Sequence, residues 1–221
     1  MLQDIASTVQ TPRLQRAAGA GRIQVRRAEG ATRLARLCQD GCAKIRLPTD
    51  HAARSLEAVL INTSGGLTGG DRISWQVDAQ AGASLTVSTQ ACEKVYRARD
   101  GEARVAVTLS AGEGARIDWL PQETILFDGA ALSRSLDVDL AHGAGLLVAE
   151  AVIMGRTAMN ETVRSGSLRD RWRIRREGRL VFADDLRFGG EIERLTNRLP
   201  VLAGARAFAS RSEERREGKE C

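Results

Sequence analysis

Three times this chain repeats one short pattern. Val77-DAQA-Gly82-ASLTV, Val107-TLSA-Gly112-EGARI and Val138-DLAH-Gly143-AGLLV all read Val, four residues, Gly, and then a new apolar segment. Their starts fall 30 and then 31 residues apart. A strand, a glycine corner and a returning strand at fixed spacing build stacked β layers, each repeat covering the apolar face of the next. Glycine suits the corner because it accepts positive φ and close backbone approach. The plainer alternative is coincidence in a chain with 22 glycines. Both readings give an all-β protein with one continuous, layered, solenoid-like core.

The rest of the chain agrees. Arg22–Arg27, Thr32–Leu37, Ala43–Leu47, Glu57–Asn62 and Arg72–Val77 are short, mostly alternating segments between Gly or polar turns. Ser84–Thr89, Arg104–Leu109, Arg116–Leu120, Leu136–Leu140, Leu146–Ala151, Asp170–Arg175 and Leu180–Phe182 follow the same habit. Glu177-Gly178 supplies a hairpin turn within Trp172–Arg179. Only two segments read as short helices, Glu150–Thr162 and Glu191–Leu199, the second stopping before Pro200.

Composition narrows the class further. With 221 residues and 43% hydrophobic side chains the chain is too apolar for disorder and long enough to bury a core as one domain. Four cysteines are too few for a disulfide scaffold. No stretch approaches the ~20 apolar residues of a membrane span, and the longest apolar run, Ala144–Met154, is broken by Glu150. The N-terminus lacks the basic and apolar regions of a signal peptide, so the expected compartment is the cytoplasm, with free thiols. A net charge of +5 invites a nucleic-acid reading. However, the arginines alternate with Asp and Glu, and 4% aromatic residues make no stacking platform. No nucleic-acid or membrane partner is expected.

Three regions are expected: residues 1–20 as a flexible N-terminus, 21–210 as the β domain, and 211–221 as a different kind of segment. The last eleven residues, RSEERREGKEC, hold no branched apolar side chain and their charges cancel. One reading is a solvated mixed-charge tail. The sharper one is that they closely resemble the translation of a DNA sequencing adapter, so that the β domain would be cut near Ser210 and lack its C-terminal part.

Two loops could carry chemistry. Asn62–Arg72 (NTSGGLTGGDR) sets Gly65-Gly66 and Gly69-Gly70 around Leu-Thr, a run that could nest an anion on backbone N–H groups. No Gly-Lys-Ser/Thr follows, and a strand rather than a helix comes next, so neither phosphate-loop pattern fits. The plainer reading is a double glycine corner capped by Asp71 and Arg72. Leu120–Ala130 (LPQETILFDGA) places Glu123 and Asp128 around an apolar segment, and Glu150, Glu161, Asp184 and Asp185 add oxygen donors downstream. Carboxylates near a core pair with cations or hold a metal. Salt bridges to the many arginines are the plainer reading here. Cys38, Cys42, Cys92, His51 and His142 are too scattered for a ligand set, and no Gly-x-Ser-x-Gly elbow supports a hydrolase triad.

Four motifs together carry a resemblance. NTSGGLTGGDR at 62–72, TQACEKVYR at 89–97, LPQETILFDGA at 120–130 and GRTAMNE at 155–161 resemble the signatures of the UreD (UreH) family of urease accessory proteins. DRWRIRR at 170–176, with Gly178, Leu180 and Asp184, fits as well, and the likeness runs in order from about Ile23 to Ala209. Asn160 and Ser64 stand where that family usually has Gly and Ala, and family members continue past this chain's end.

The resemblance implies a β-rich nickel-insertion scaffold and not an enzyme. Such proteins bind UreF, recruit the GTPase UreG through it, and dock on apo-urease to pass Ni²⁺ onward through an internal tunnel. It implies no permanent cofactor, only Ni²⁺ in transit, with Asp128, Glu161, Asp71 and Glu123 as candidate oxygen ligands. Gly65, Gly66, Gly69, Gly70, Arg72, Gly129 and Arg156 are then motif positions that shape the scaffold. Oxygen ligands hold Ni²⁺ more weakly than His or Cys clusters, which suits handing an ion on. Two other classes stay open: a carboxylate-dependent hydrolase on a β-solenoid using Asp71, Glu123 and Asp128, and an anion-binding module using the Gly65–Gly70 loop.

Overall fold

The computed structural model describes residues 15–48 and 54–214. The chain opens with β1 (Ala18–Ala28), β2 (Ala31–Gly41), β3 (Ala43–Arg46) and β4 (Leu56–Asn62). Three rungs follow. The first is β5 (Arg72–Ala79), β6 (Ser84–Thr89) and β7 (Glu93–Val95), and the second is β8 (Ala103–Ala111), β9 (Arg116–Leu120) and β10 (Thr124–Leu126). The third is β11 (Ala131–Leu140) and β12 (Gly145–Met154). β13 (Ser165–Arg176), β14 (Arg179–Glu191), α1 (Ile192–Thr196) and β15 (Ala207–Glu214) complete the described chain.

Corresponding strands of successive rungs pair in parallel, which is what a solenoid requires. One sheet runs β14-β13-β11-β8-β5-β1-β2. The other runs β3-β4-β6-β9-β12, with β15 on the far edge of β12. A third, narrow ladder joins Leu67, Val95, Leu126 and Met154, because β7 pairs β10 and β10 pairs the last turn of β12. Period-2 alternation sends one face of each strand inward. Ile73, Trp75 and Val77 from β5, Val107 and Leu109 from β8, and Leu132, Leu136 and Val138 from β11 therefore meet Leu85, Ile117, Trp119 and Leu146 from the opposite sheet.

Each segment expected to be extended is a strand, and the hairpin turn at Glu177-Gly178 forms with both residues at positive φ. Three strands were not foreseen: β7, β10 and β15. The first two are only three residues long, too short for a period to declare itself.

Several expectations need correction. Glu150–Thr162 is not a helix: its first half is β12, and only a single 3-10 turn, Thr157–Met159, follows. Leu146, Val148, Glu150, Val152 and Met154 all point inward, so the strand period prevails over the helix propensity of Ala, Glu and Met. Of Glu191–Leu199 only Ile192–Thr196 is helical, Asn197 capping its end. β1 begins at Ala18, inside the segment expected to be flexible, and residues 1–14 lie outside the described chain. Arg211–Glu214 continue β15, paired with Leu146–Ala149, while 215–221 lie outside the described residues.

The repeat itself needs a shift of register. Trp75 pairs with Val107 and Val107 with Leu136, so structurally equivalent residues lie 32 and then 29 apart. The corner glycines at positive φ are Gly82, Gly114 and Gly143, not Gly112. Each sits in a turn closed by a backbone hydrogen bond, in which the Ala83, Ala115 and Ala144 amides donate to the Gln80, Gly112 and Ala141 carbonyls. Gly112 is glycine for a different reason: a Cβ there would lie 2.7 Å from the Ala81 nitrogen of the turn stacked above.

Candidate functional site

The inward alternation carries charge into the core at three places. Arg134 lies between Leu132 and Leu136, Glu150 between Val148 and Val152, and Asp170 between Leu168 and Trp172, all on inward positions and all buried. Buried charges must be paired. Arg134 grips both Asp170 oxygens through Nε and Nη2, and its Nη1 donates to Thr124 Oγ1 at 3.3 Å. Glu150 Oε1 accepts from Trp119 Nε1 at 2.7 Å. Its Oε2 lies 3.1 Å from Arg134 Nη2 without hydrogen-bond alignment. Two acids thus share one guanidinium. Burial pushes the Glu150 carboxyl up, against the pull of Arg134.

Arg134, Glu150, Thr124 and Trp119 of this cluster form the floor of an interior cavity of about 230 Å³, with Asp170 behind Arg134 and outside the lining. Its apolar walls include Leu60, Ile73, Trp75, Val107 and Leu132, and its exposed lining residues, among them Gly65, Ala91, Lys94 and Gln122, mark the opening. One acid stands near that opening. Glu93, on β7, takes both its carboxylate hydrogen bonds from the Asn62 side-chain amide, at 3.1 and 3.2 Å. Burial pushes its carboxyl up to about 7, and the Asn62 amide only partly offsets that. Near neutral pH Glu93 therefore exchanges a proton readily. The cavity has Glu93 near its opening and the Arg134–Glu150 pair at its floor.

The acids singled out from sequence lie elsewhere. None of Asp71, Glu123, Asp128 and Glu161 lines the cavity. Asp71 is buried and accepts from the Ala17 and Thr68 backbone amides, both at 2.8 Å. Asp128 accepts from the Arg164 and Ser165 amides and pairs with Arg97 at 2.6 Å. Those amides, Ser165 first, hold its carboxyl below the usual range, with Arg97 adding to the effect. Glu161 is clamped by Arg156 at 2.8 Å, which likewise holds it down. Glu123 is half-buried, and its carbonyl receives the Glu93 amide. Asp71 and Asp128 are each held by backbone amides of neighbouring turns.

The glycine loop is a packing device. A Cβ on Gly66, at φ +143°, would run into the Tyr96 ring, and one on Gly69 would meet the Asp100 carbonyl. The Leu67, Thr68, Gly70 and Asp71 amides are all taken by protein acceptors, which leaves little of an anion nest. Gly129, at φ +77°, gives Arg97 room to cross onto Asp128. Arg72 begins β5 with an exposed side chain. Arg156 stacks 4.4 Å over the Phe127 ring, which packs against Tyr96 in a T-shaped contact. Three of the family-like motifs therefore supply Leu67, Val95 and Leu126 to the narrow third ladder, and the fourth, 155–161, directly follows its last residue, Met154.

Cys38, Cys42 and Cys92 are free thiols, His142 is exposed on a turn, and His51 lies outside the described residues. Among the described residues no group of three or more His, Cys, Asp or Glu side chains is placed to hold a metal ion, and no helix is long and apolar enough to cross a membrane. Asn62, Glu93 and Asp170 fall inside the motifs noted in the sequence without being singled out as site residues, and Arg134 lies outside them, although inward alternation marks Arg134 and Asp170.

Known proteins resemble this chain over nearly all of the described region. The family described as UreD urease accessory protein matches residues 17–211. The urease accessory protein UreD of Chelativorans sp. (strain BNC1) is 57% identical over 197 residues, covering 89% of this chain and 70% of that protein. Its namesake in Rhizobium etli is 55% identical over 206 residues, 93% of this chain and 74% of that protein. The one from Rhizobium leguminosarum bv. viciae is 56% identical over 198 residues, 90% and 72% respectively. With a family match over residues 17–211 and relatives 55–57% identical, this chain belongs to the UreD family of urease accessory proteins.

Proposed function

We propose that this chain is a non-catalytic scaffold of urease maturation that passes Ni²⁺, its cargo, through the lumen of its solenoid. In this reading it works in the cytoplasm, binds UreF, engages the GTPase UreG through UreF, and delivers the ion to apo-urease. The observation that carries the reading is the interior cavity, with Glu93 at its mouth and Glu150 at its floor. A hydrated divalent cation entering an apolar-walled cavity needs oxygen donors to replace water, and single carboxylates at separate points supply them without forming a trap. Glu93 holds a proton part of the time near pH 7, so cation and proton compete for the same oxygens. Arg134 keeps the floor from accumulating negative charge, which favours onward release. Asp71 and Asp128 shape the walls from outside by fixing the corner turns.

The test is complementation. A urease-producing cell lacking its own UreD receives this gene, and the urease is assayed for nickel content and activity. Wild type should restore both. Glu93→Gln and Glu150→Gln should each reduce nickel per urease several-fold while co-purification with UreF stays within twofold. Full activation by the double variant would refute passage through the lumen.

A further inference from the structure

The corner beside the cavity mouth has a surface that the passage of a cation does not explain. Met159, on the 3-10 turn, is 68% exposed, and Tyr96 is 40% exposed beside Phe127 and the stacked Arg156. Charge there is sorted by depth. Arg97 is 68% exposed whereas its partner Asp128 is 22%, and Arg156 is 45% exposed against 17% for Glu161. Lys94 and Arg164 are exposed as well. The acids turn inward to hold backbone amides, so cations dominate what the corner shows to solvent. The same corner borders the opening: Tyr96 Oη donates to the Gly65 carbonyl at 3.2 Å, and Gly65 and Lys94 lie at the mouth.

The geometry points to this corner, centred on Tyr96, Met159, Arg97 and Lys94, as the docking surface for a partner protein that presents carboxylates around an apolar side chain. The inference rests on the proposed passage through the lumen and adds to it the place where the loading partner sits. Arginine with exposed aromatic and Met side chains is the composition of protein interfaces. Exposed cations favour acidic partners and speed their encounter. A nucleic acid would call for a continuous phosphate track and several stacking rings, whereas here one tyrosine stands beside a methionine. A segment seated here would overhang the mouth and deliver its cation directly to Glu93.

The experiment co-expresses the tagged full chain with urease and its other accessory proteins, purifies the complex at low salt, and then raises the salt. Wild type should retain an accessory protein at ~0.1 M salt and shed most of it by ~0.5 M, as a screened interface does. Lys94→Glu with Met159→Glu should retain at least tenfold less, with the melting temperature unchanged. The milder Lys94→Gln with Met159→Gln should fall between the two. Retention of the partner by the Glu double variant within twofold of wild type would overturn the docking surface and leave the lumen reading standing. Retained nucleic acid that the variants release, with no partner protein affected, would overturn it too. A wild-type chain that neither takes up Ni²⁺ nor retains any accessory protein would overturn both.

Discussion

Trp119 Nε1 donates to Glu150 Oε1 across 31 positions of sequence, from one rung of the solenoid to the next. The same separation links Asn62 to Glu93, Gly65 to Tyr96 and Arg97 to Asp128. The rung length thus fixes which side chains can meet. A residue that closes a turn on one rung is tied to the motif one period later, and chemistry placed at one level is supported from its neighbour.

The shared guanidinium of Arg134 makes a stability test. Arg134→Ala leaves Glu150 and Asp170 buried without their cation and should cost ~3–5 kcal/mol, enough to deplete soluble protein. Glu150→Gln keeps the bond from Trp119 and should cost ~1 kcal/mol or less. Combining Arg134→Met with Glu150→Gln and Asp170→Asn should recover most of the loss, because no charge is then stranded. Urea melts would show it; a triple variant no better than Arg134→Ala would mean that packing, not charge, governs the site.

Corner glycines should separate by cause. At Gly112, with φ in the ordinary region, a methyl group meets the Ala81 nitrogen, and Gly112→Ala should cost ~1–3 kcal/mol through displaced backbone. Gly114, at φ +62°, has open space around it. Gly114→Ala should therefore cost only the ~1 kcal/mol of a left-handed residue, and Gly114→Asn less still. A Gly112→Asn variant milder than Gly112→Ala in thermal melts, with Gly114→Ala neutral, would restore Gly112 as the turn residue that the Val-x4-Gly pattern named.

How far the sequence could be read follows from these rungs. Twofold alternation exposed the strands because each has one dry and one wet face, and the glycine corners exposed the layering. The pattern picked Gly112 over Gly114 because both glycines flank Glu113 and only φ tells them apart. β7 and β10 were hidden inside motifs that read as loops. The acids Asp128 and Glu161 drew attention by type, yet their partners are backbone amides and an arginine five residues away, which no spacing rule reports. Arg134 and Asp170 were legible in principle, since each interrupts an inward apolar series. Glu93 was not, because its environment is built by Asn62, a full rung earlier.

Asp128 and Glu161 should behave as structural acids. Asp128→Ala strips the acceptor from two amides and the partner from Arg97, a loss of ~1–3 kcal/mol; Glu161→Ala loses a half-exposed pair worth ~1 kcal/mol or less. Both carboxyls titrate lower in the folded chain than in the unfolded one. Their contribution is therefore complete above the unfolded values near pH 4 and fades as pH falls through the lower folded values. Soluble yield and urease activation should drop together in Asp128→Ala. Activation lost at undiminished yield and assembly would return Asp128 to the cation path.

Glu93 should show the reverse dependence. Its folded carboxyl titrates at about 7, against 4.5 for an ordinary glutamate, so between those values the folded chain binds more protons than the unfolded one. Stability must then fall as pH rises from about 4.5, and the loss is complete only above about 7. The half-buried position and nearby water limit the total to ~1–3 kcal/mol. Glu93→Gln removes the titrating group and keeps a polar partner for Asn62. The variant should therefore match wild type at pH 5 and exceed it at pH 8, as measured by melting temperature. Saturating Ni²⁺ at pH 8 should narrow that gap by stabilising only the wild type, since bound cation replaces the lost proton. Parallel melting curves for the two proteins from pH 5 to 8 would mean that Glu93 is solvated and ionised throughout, and the proton-for-cation exchange at the mouth would fail with it.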